Sequence, residues 1–285
     1  ITLALFIFLP IGTIIYKTLF NNNSSLKYLF ETLLIEYSIN TVYLVLLTSF
    51  FSLIFGIFPA WFISMYKFKG RKFYDLFLFL PLAIPTYIMA FTYGDFLSYT
   101  GPIQTFFRNN FNEIYYLFNK DYLQIEILAI ILGLALYPYI YSVSRVSFSL
   151  IGLNYINLSK NLGLSSLKTF VKIILPLSSP AIFSGLFLVI MEVLNEYGAV
   201  KYFGVNTYTT GIFRAWFSMN DISSAIILAL ILMLLVFFLF FLEKNYHSKY
   251  KFNYSSNTKI QNLSEVSLVK KVISHITCLR PVLLG

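Results

Sequence analysis

Two carboxylates four residues apart, Glu192 and Glu196, with Asn195 beside them, interrupt an otherwise apolar run. Read as helix, that spacing places all three side chains on one face. Ionisable groups within an apolar span are costly and normally face a bundle interior or a watered path, so they are functional candidates. Tyr93, Asp95 and Tyr197 add further oxygens. Hard cations favour oxygen donors, and such a set suits transient contacts with one. The alternative is that the two carboxylates only hydrogen-bond within the bundle. Other chemistry is poorly provided for. Two histidines and one cysteine supply neither a zinc cluster nor a disulfide framework. An intramembrane enzyme needs paired catalytic groups at membrane depth, whereas both histidines, His247 and His275, lie beyond the sixth apolar run. There is no Gly-x-x-x-x-Gly-Lys-[Ser/Thr] phosphate loop. Cys278, in an apolar stretch, reads as a packing residue.

The elements that must position these groups are membrane helices. Hydrophobic residues make up 58% of the chain and charged ones 12%, with mean hydropathy +0.74. Soluble domains carry about 25% charged residues. A spanning helix needs about 20 apolar residues, and six such runs are visible: Ile1–Leu19, Asn40–Met65, Phe73–Leu97, Leu123–Val143, Leu177–Tyr197 and Ile222–Leu242. A seventh begins near Val272, and both ends of the chain look cut. Alternate loops hold fourteen Lys and Arg against five. The richer set belongs in the cytoplasm, which puts the N-terminus there too and turns the loops near 20–39, 98–122 and 198–221 outward. The net charge of +9 is thereby assigned to cytoplasmic loops, with no nucleic acid implied. Pro81 and Pro85, four apart, predict a bend within the third run. Arg214, in the outward stretch 202–221, is suited to an acidic patch on a partner.

The cytoplasmic loop 144–176 carries two helical patterns. Ile151, Tyr155, Leu158 and Leu162 recur on one face, with Asn154, Asn157 and Lys160 opposite. Gly163 follows as a left-handed C-terminal cap, and Ser165 as the N-cap of a second helix. Leu167, Phe170, Val171 and Ile174 make its apolar face, and Pro176 leads into the next span. The expectation is a helix–turn–helix under the membrane that either docks on a partner or lies at the interface alone.

The spacing of Gly163, Ile173, Leu175 and Pro176 resembles the cytoplasmic signature loop of ABC-transporter permeases, with Asn157, Leu158 and Ser159 standing where Glu-Ala-Ala is usual. Residues 191–221, with M-E-V-L-N-E-Y-G, Y-F-G-V and T-T-G-I-F-R-A-W, are similar to the iron(III) permease subfamily. So are L-P-L-A-I-P-T-Y-I-M-A-F at 80–91 and Gly101-Pro102. The resemblance implies an all-α, polytopic type I permease unit over 1–242, a cytoplasmic linker over 243–271, and the start of a second half over 272–285. It implies a bacterial inner-membrane conduit rather than a catalyst. A periplasmic binding protein would deliver iron(III), and a cytoplasmic ATPase dimer would use ATP and Mg while gripping Asn157, Ser159, Lys160, Gly163, Ile173, Leu175 and Pro176. The second permease half would be fused or separate, with lipid around the whole. Glu192, Asn195, Glu196, Tyr93 and Asp95 would line the path, and Arg214 would meet the binding protein. No stable metal or cofactor is implied for this chain itself. Thiamine and phosphonate permeases are related alternatives, and a channel or transporter without an ATPase is a remoter one.

Overall fold

A long run of Leu, Ile, Phe and Val has few ways to satisfy its backbone in a bilayer, and helix is the local one. The computed structural model describes residues 9, 12–14, 16, 33–111, 122–249 and 268–285, and among them there is no strand. The helices are α1 (Leu34–Met65), α2 (Arg71–Phe77), α3 (Thr86–Leu97), α4 (Pro102–Asn110), α5 (Ile125–Asn161), α6 (Ser166–Asn195), α7 (Gly198–Tyr202), α8 (Tyr208–Phe213), α9 (Ile222–Lys249) and α10 (Leu268–Leu284). The molecule is an all-α transmembrane bundle. Four of the described helices are long and apolar enough to cross a membrane: α1, α5 over Ile125–Ile151, α6, and α9 over Ile222–Tyr246. The expected span at 1–19 falls almost wholly outside the described residues, as does the expected linker between 250 and 267.

The third run is not one straight span. Residues Arg71–Ala83 and Thr86–Asn110 are bent by 93° relative to each other. Pro85 forces the preceding Ile84 out of helical geometry, to φ −103° and ψ 121°. Pro81 opens the single 3₁₀ turn Leu80–Ala83 just before the break. The two prolines therefore break the helix, where the sequence predicted only a bend.

α5 is the centre of the bundle, and α1 and α6 pack along it. The contacts are made through small residues, the usual device where lipid removes the hydrophobic drive for helix association. A Cβ on Gly56 would stand 2.9 Å from that of Ile140, and one on Gly133 would stand 2.7 Å from that of Phe51. Ser52 Oγ donates to the Gly133 carbonyl at 3.4 Å. Gly185 of α6 is equally tight, with 2.6 Å to Val143 Cγ2 and 2.9 Å to the Ile140 Cα. Because the second obstacle is backbone, the helices must move apart to admit a side chain. Gly185→Leu is therefore expected to destabilise the bundle by about 1–3 kcal/mol. Thermal unfolding in detergent checks this; an unchanged midpoint would show that α5 and α6 do not depend on this close approach.

The polarity of the helices follows from their contacts. The start of α1 meets the start of α5, where the Tyr43 hydroxyl donates to Glu126 at 3.1 Å. The end of α1 meets α5 again where Ser64 Oγ donates to the Arg145 carbonyl at 3.0 Å. α6 runs back in the opposite direction. α9 returns again, and the Tyr246 hydroxyl donates to Ser179 Oγ at 3.2 Å. One end of the bundle thus holds the turn 162–165 and the other holds residues 196–221; they are called the turn end and the far end below.

Candidate functional site

At the turn end, α5 continues unbroken to Asn161. The loop expected from residue 144 is therefore mostly helix, and only 162–165 form the turn. Nothing between 144 and 161 stops a helix, since a lone glycine such as Gly152 costs only about 1 kcal/mol in a helix interior. Gly163 adopts φ +73°, and the Leu164 amide donates to the Ser159 carbonyl at 2.9 Å. That six-to-one bond is the Schellman closure expected of a left-handed glycine cap. Ser165 caps α6, accepting from the Lys168 amide at 3.4 Å. Thr169 Oγ1 then ties the two sides together, donating to the Ser165 carbonyl or to Ser159 Oγ at 2.9 Å. Both Ser159 and Thr169 are buried.

The first turns of α6 depart from the predicted face. Phe170–Ile174 is a π-helical segment, a form concentrated at functional sites. Phe170 stacks on Trp61 of α1, with centroids 4.2 Å apart, and meets Phe148 of α5 edge-on. Phe170 and Ile174 are buried as predicted, but Leu167 and Val171 are 67% and 59% exposed. On α5, Ile151 is buried while Tyr155, Leu158 and Leu162 stay exposed. The turn therefore carries an uncovered apolar crest of Tyr155, Leu158, Leu162, Leu167 and Val171, flanked by exposed Lys168 and Lys172. Ile173 and Leu175 are half-buried and Pro176 is exposed. The side chains of Asn154, Asn157 and Lys160 lie outside the described ones.

An ion pair that sequence reasoning missed lies further back along α5. Arg145 of α5 pairs with Asp75 of α2, whose other carboxylate oxygen accepts from the Tyr141 hydroxyl at 2.7 Å. Arg71 Nε donates to the Ile63 carbonyl at 2.6 Å. The available signal was one acid inside the basic stretch K-F-K-G-R-K-F-Y-D.

At the far end, the structure separates the two carboxylates. α6 stops at Asn195, and Glu196 is extended with φ −70° and ψ 120°. It therefore does not share a helical face with Glu192, as the four-residue spacing suggested. Its Oε2 accepts from Thr86 Oγ1 of α3, and its Oε1 accepts from the Ala199 amide of α7 at 2.9 Å. Its carbonyl accepts from Thr209 Oγ1 at 2.9 Å. Glu196 is thus a staple joining α6, α3, α7 and α8. Glu192, in the last turn of α6, is exposed and accepts from the Tyr139 hydroxyl of α5 at 3.2 Å. Asn195 is exposed too. Tyr93 is drawn elsewhere, its hydroxyl donating to the Leu284 carbonyl of α10. Asp95 is exposed near the end of α3, where its carbonyl accepts from Ser98 Oγ at 2.8 Å. The oxygens grouped from sequence therefore do not converge on one point among the described contacts.

Arg214 is exposed and held in a network. It donates to Asn206 Oδ1 at 2.7 Å, and Asn206 donates to Glu36 at 2.7 Å and accepts from Asn40 at 3.0 Å through its carbonyl. The loop before α8 is set by Thr207, which exchanges a capping box with Thr210. Arg214 and Lys201 line one cleft of 390 Å³ with Tyr197, Phe213 and Phe217. The Lys201 ammonium sits 5.3 Å over the Tyr197 ring, and Tyr197 stacks on Phe213 at 4.0 Å. The arrangement is a cationic, aromatic-walled opening at the far end.

Comparison with known proteins fits this frame. An Fe(3+)-transport system permease protein of Haemophilus influenzae is 27% identical over 231 residues, 79% of this chain and 41% of that protein. A sulfate transport system permease protein of Salmonella typhimurium is 27% identical over 158 residues, 55% of this chain and 54% of that protein. A molybdate/tungstate transport system permease protein of Methanocaldococcus jannaschii is 28% identical over 205 residues, 70% of this chain and 74% of that protein. The chain spans about half the length of the first two of these relatives. The family profile for the inner membrane component of binding-protein-dependent transport systems matches residues 52–251, from within α1 past the end of α9. With that match over most of the bundle, the chain belongs to the family of binding-protein-dependent transport system inner membrane components.

Proposed function

We propose that the chain is one permease half of an ATP-driven importer of iron(III), working with a second half fused to it or separate. The orientation read from the lysine count puts the turn end in the bacterial cytoplasm and the N-terminus on that side. The apolar crest at the turn supports docking of a cytoplasmic ATPase dimer, which would use ATP and Mg. A short helix end with exposed Leu and Val beside lysines is the form that fits a partner's groove. The far-end cleft with Arg214 and Lys201 suits acidic side chains of a periplasmic binding protein.

The observation that carries iron is Glu192 on the open side of α6 with Tyr139. A carboxylate does not face hydrocarbon by preference, so this side fits the path between two halves. Its oxygens attract a hard cation and repel an oxyanion. Among the described residues no three His, Cys, Asp or Glu side chains converge on a metal site, so a passing cation would meet few ligands and leave easily. A second reading, an oxyanion importer, is favoured by the cationic cleft and by the sulfate and molybdate/tungstate relatives. Uptake by the assembled transporter separates them. Ferric ion is expected to be taken up when the binding protein and ATP are present. Uptake of sulfate or molybdate in its place, or of thiamine or a phosphonate, would overturn the iron assignment.

A further inference from the structure

We propose that the seam between the α1–α2 turn and α10 binds the headgroup of an anionic phospholipid. Three lysines flank the contact between these elements in sequence: Lys67 and Lys69 on either side of Phe68, and Lys271 four residues before His275. Lys67, Lys69 and Lys72 lie on the turn that follows α1 and the start of α2, and all three are exposed. The turn reverses through Gly70 at φ +83°. α10 reaches the same place from far along the chain. His275 Nδ1 is 3.1 Å from the Tyr74 hydroxyl, and its ring lies edge-on to Phe68 with centroids 5.4 Å apart. Lys271 stands one helical turn before His275 on the same face and is exposed.

Among the described residues Lys67, Lys69, Lys72 and Lys271 have no ion-pair partner. The acid beside them, Asp75, is engaged by Arg145 and Tyr141. Like charges on facing elements repel, so an anion between them favours the docking of α10. Exposed apolar side chains on the two elements say which anion. Phe73 and Leu76 of α2 are 55% and 68% exposed, and Val272 and Ile276 of α10 are 57% and 45% exposed. A diester phosphate among lysines with acyl chains along these apolar side chains satisfies both features. Basic pockets between membrane helices commonly hold acidic headgroups in this way. An acidic soluble protein would leave the apolar walls uncovered.

The test uses the assembled, full-length transporter, purified and stripped of lipid in detergent. Its thermal unfolding midpoint is followed while phosphatidylglycerol, phosphatidylcholine or inorganic phosphate is added. Phosphatidylglycerol is expected to raise the midpoint, with half-saturation shifting upward by about fivefold for each lysine replaced by glutamine at positions 67, 69 and 271. The response should weaken in high salt, and arginine at the same positions should preserve it. Lys271→Gln alone, at an exposed site, serves if the triple variant folds poorly, with bound lipid counted by native mass spectrometry. An undiminished phosphatidylglycerol response in the glutamine variants overturns the proposal. So does an equal response to phosphatidylcholine, or to inorganic phosphate alone, which would mark a free-anion site. Loss of the ATPase subunits with the lipid response intact would assign the lysines to that partner instead.

Discussion

Gly163→Val is expected to lower ATP-driven uptake by about tenfold or more while the protein remains in the membrane, because geometry at a coupling contact is lost steeply with displacement. Nothing lies within 4 Å of an ideal Cβ at Gly163, so the substitution creates no clash. Its cost is conformational. The residue holds φ +73°, which disfavours any L side chain by roughly 1–2 kcal/mol and a β-branched one more. Valine escapes by leaving the left-handed region, which breaks the Leu164-to-Ser159 bond and re-aims Ser165 and the crest beside it. Asparagine tolerates the conformation, so Gly163→Asn should keep most of the uptake. Uptake and ATP hydrolysis are measured together in vesicles. Hydrolysis is expected to persist in Gly163→Val while transport falls. Normal transport by that variant would sink the assignment of this turn as the coupling contact.

The second large effect concerns the two carboxylates, which the structure gives different work. Glu192→Gln is expected to cut iron uptake by about tenfold with little change in thermal stability, since the lost charge faces the proposed path and an interaction worth about 1.4 kcal/mol is a factor of ten. Glu196→Gln is expected to act mainly on stability. Its carboxylate accepts from Thr86 and from the Ala199 amide, and hydrogen bonds to a charged group contribute about 1.5–3 kcal/mol. The comparison of uptake with unfolding midpoint in both variants decides the matter. Full uptake by Glu192→Gln removes that residue from the path. A stable, transport-dead Glu196→Gln would return Glu196 to it.

These two predictions concern opposite ends of one rod. α6 begins at the capped turn and ends at the Glu196 staple, a length of about 45 Å at 1.5 Å per residue. α5 runs beside it, locked to α2 by Arg145 and Asp75. Contacts therefore run from α6 to α3 through Glu196 and Thr86, and from α5 to α2 through Asp75. Both α3 and α2 belong to the segment that breaks at Pro81 and Pro85. The permease role gains a route by which a push at the crest would reach the far end.

Much of this was legible along the chain. Apolar runs long enough for a bilayer, the Gly163 and Ser165 caps, and a departure from straight helix near Pro81 and Pro85 all arise from interactions within a few residues. Caps and prolines act on their own backbone neighbours, so type and spacing suffice to place them. The burial of Cys278 (0% exposed) also agrees with its apolar surroundings in sequence. The resemblance carried by 157–176 and 191–221 pointed to the permease family that the match over 52–251 confirms.

The rest was decided by packing. In a membrane chain the lipid-facing and protein-facing sides of a helix are both apolar, so periodicity does not say which side is which. That is why Leu167, Phe170, Val171 and Ile174 were read as one apolar face, of which the structure buries only Phe170 and Ile174. It is also why the loop from 144 could not be told from a continuing helix. The pairing of Asp75 with Arg145, of Glu196 with Thr86, and of Tyr74 with His275 joins residues 70 to 201 positions apart. Such pairs depend on how helices cross, which no local pattern records. The sequence alone therefore determined that this is a membrane helical permease unit with a glycine-capped turn. Only the tertiary structure decided that Glu196 is a staple, that Glu192 is the exposed carboxylate, and that His275 of α10 meets Tyr74 and Phe68, because each is a consequence of contact between distant helices.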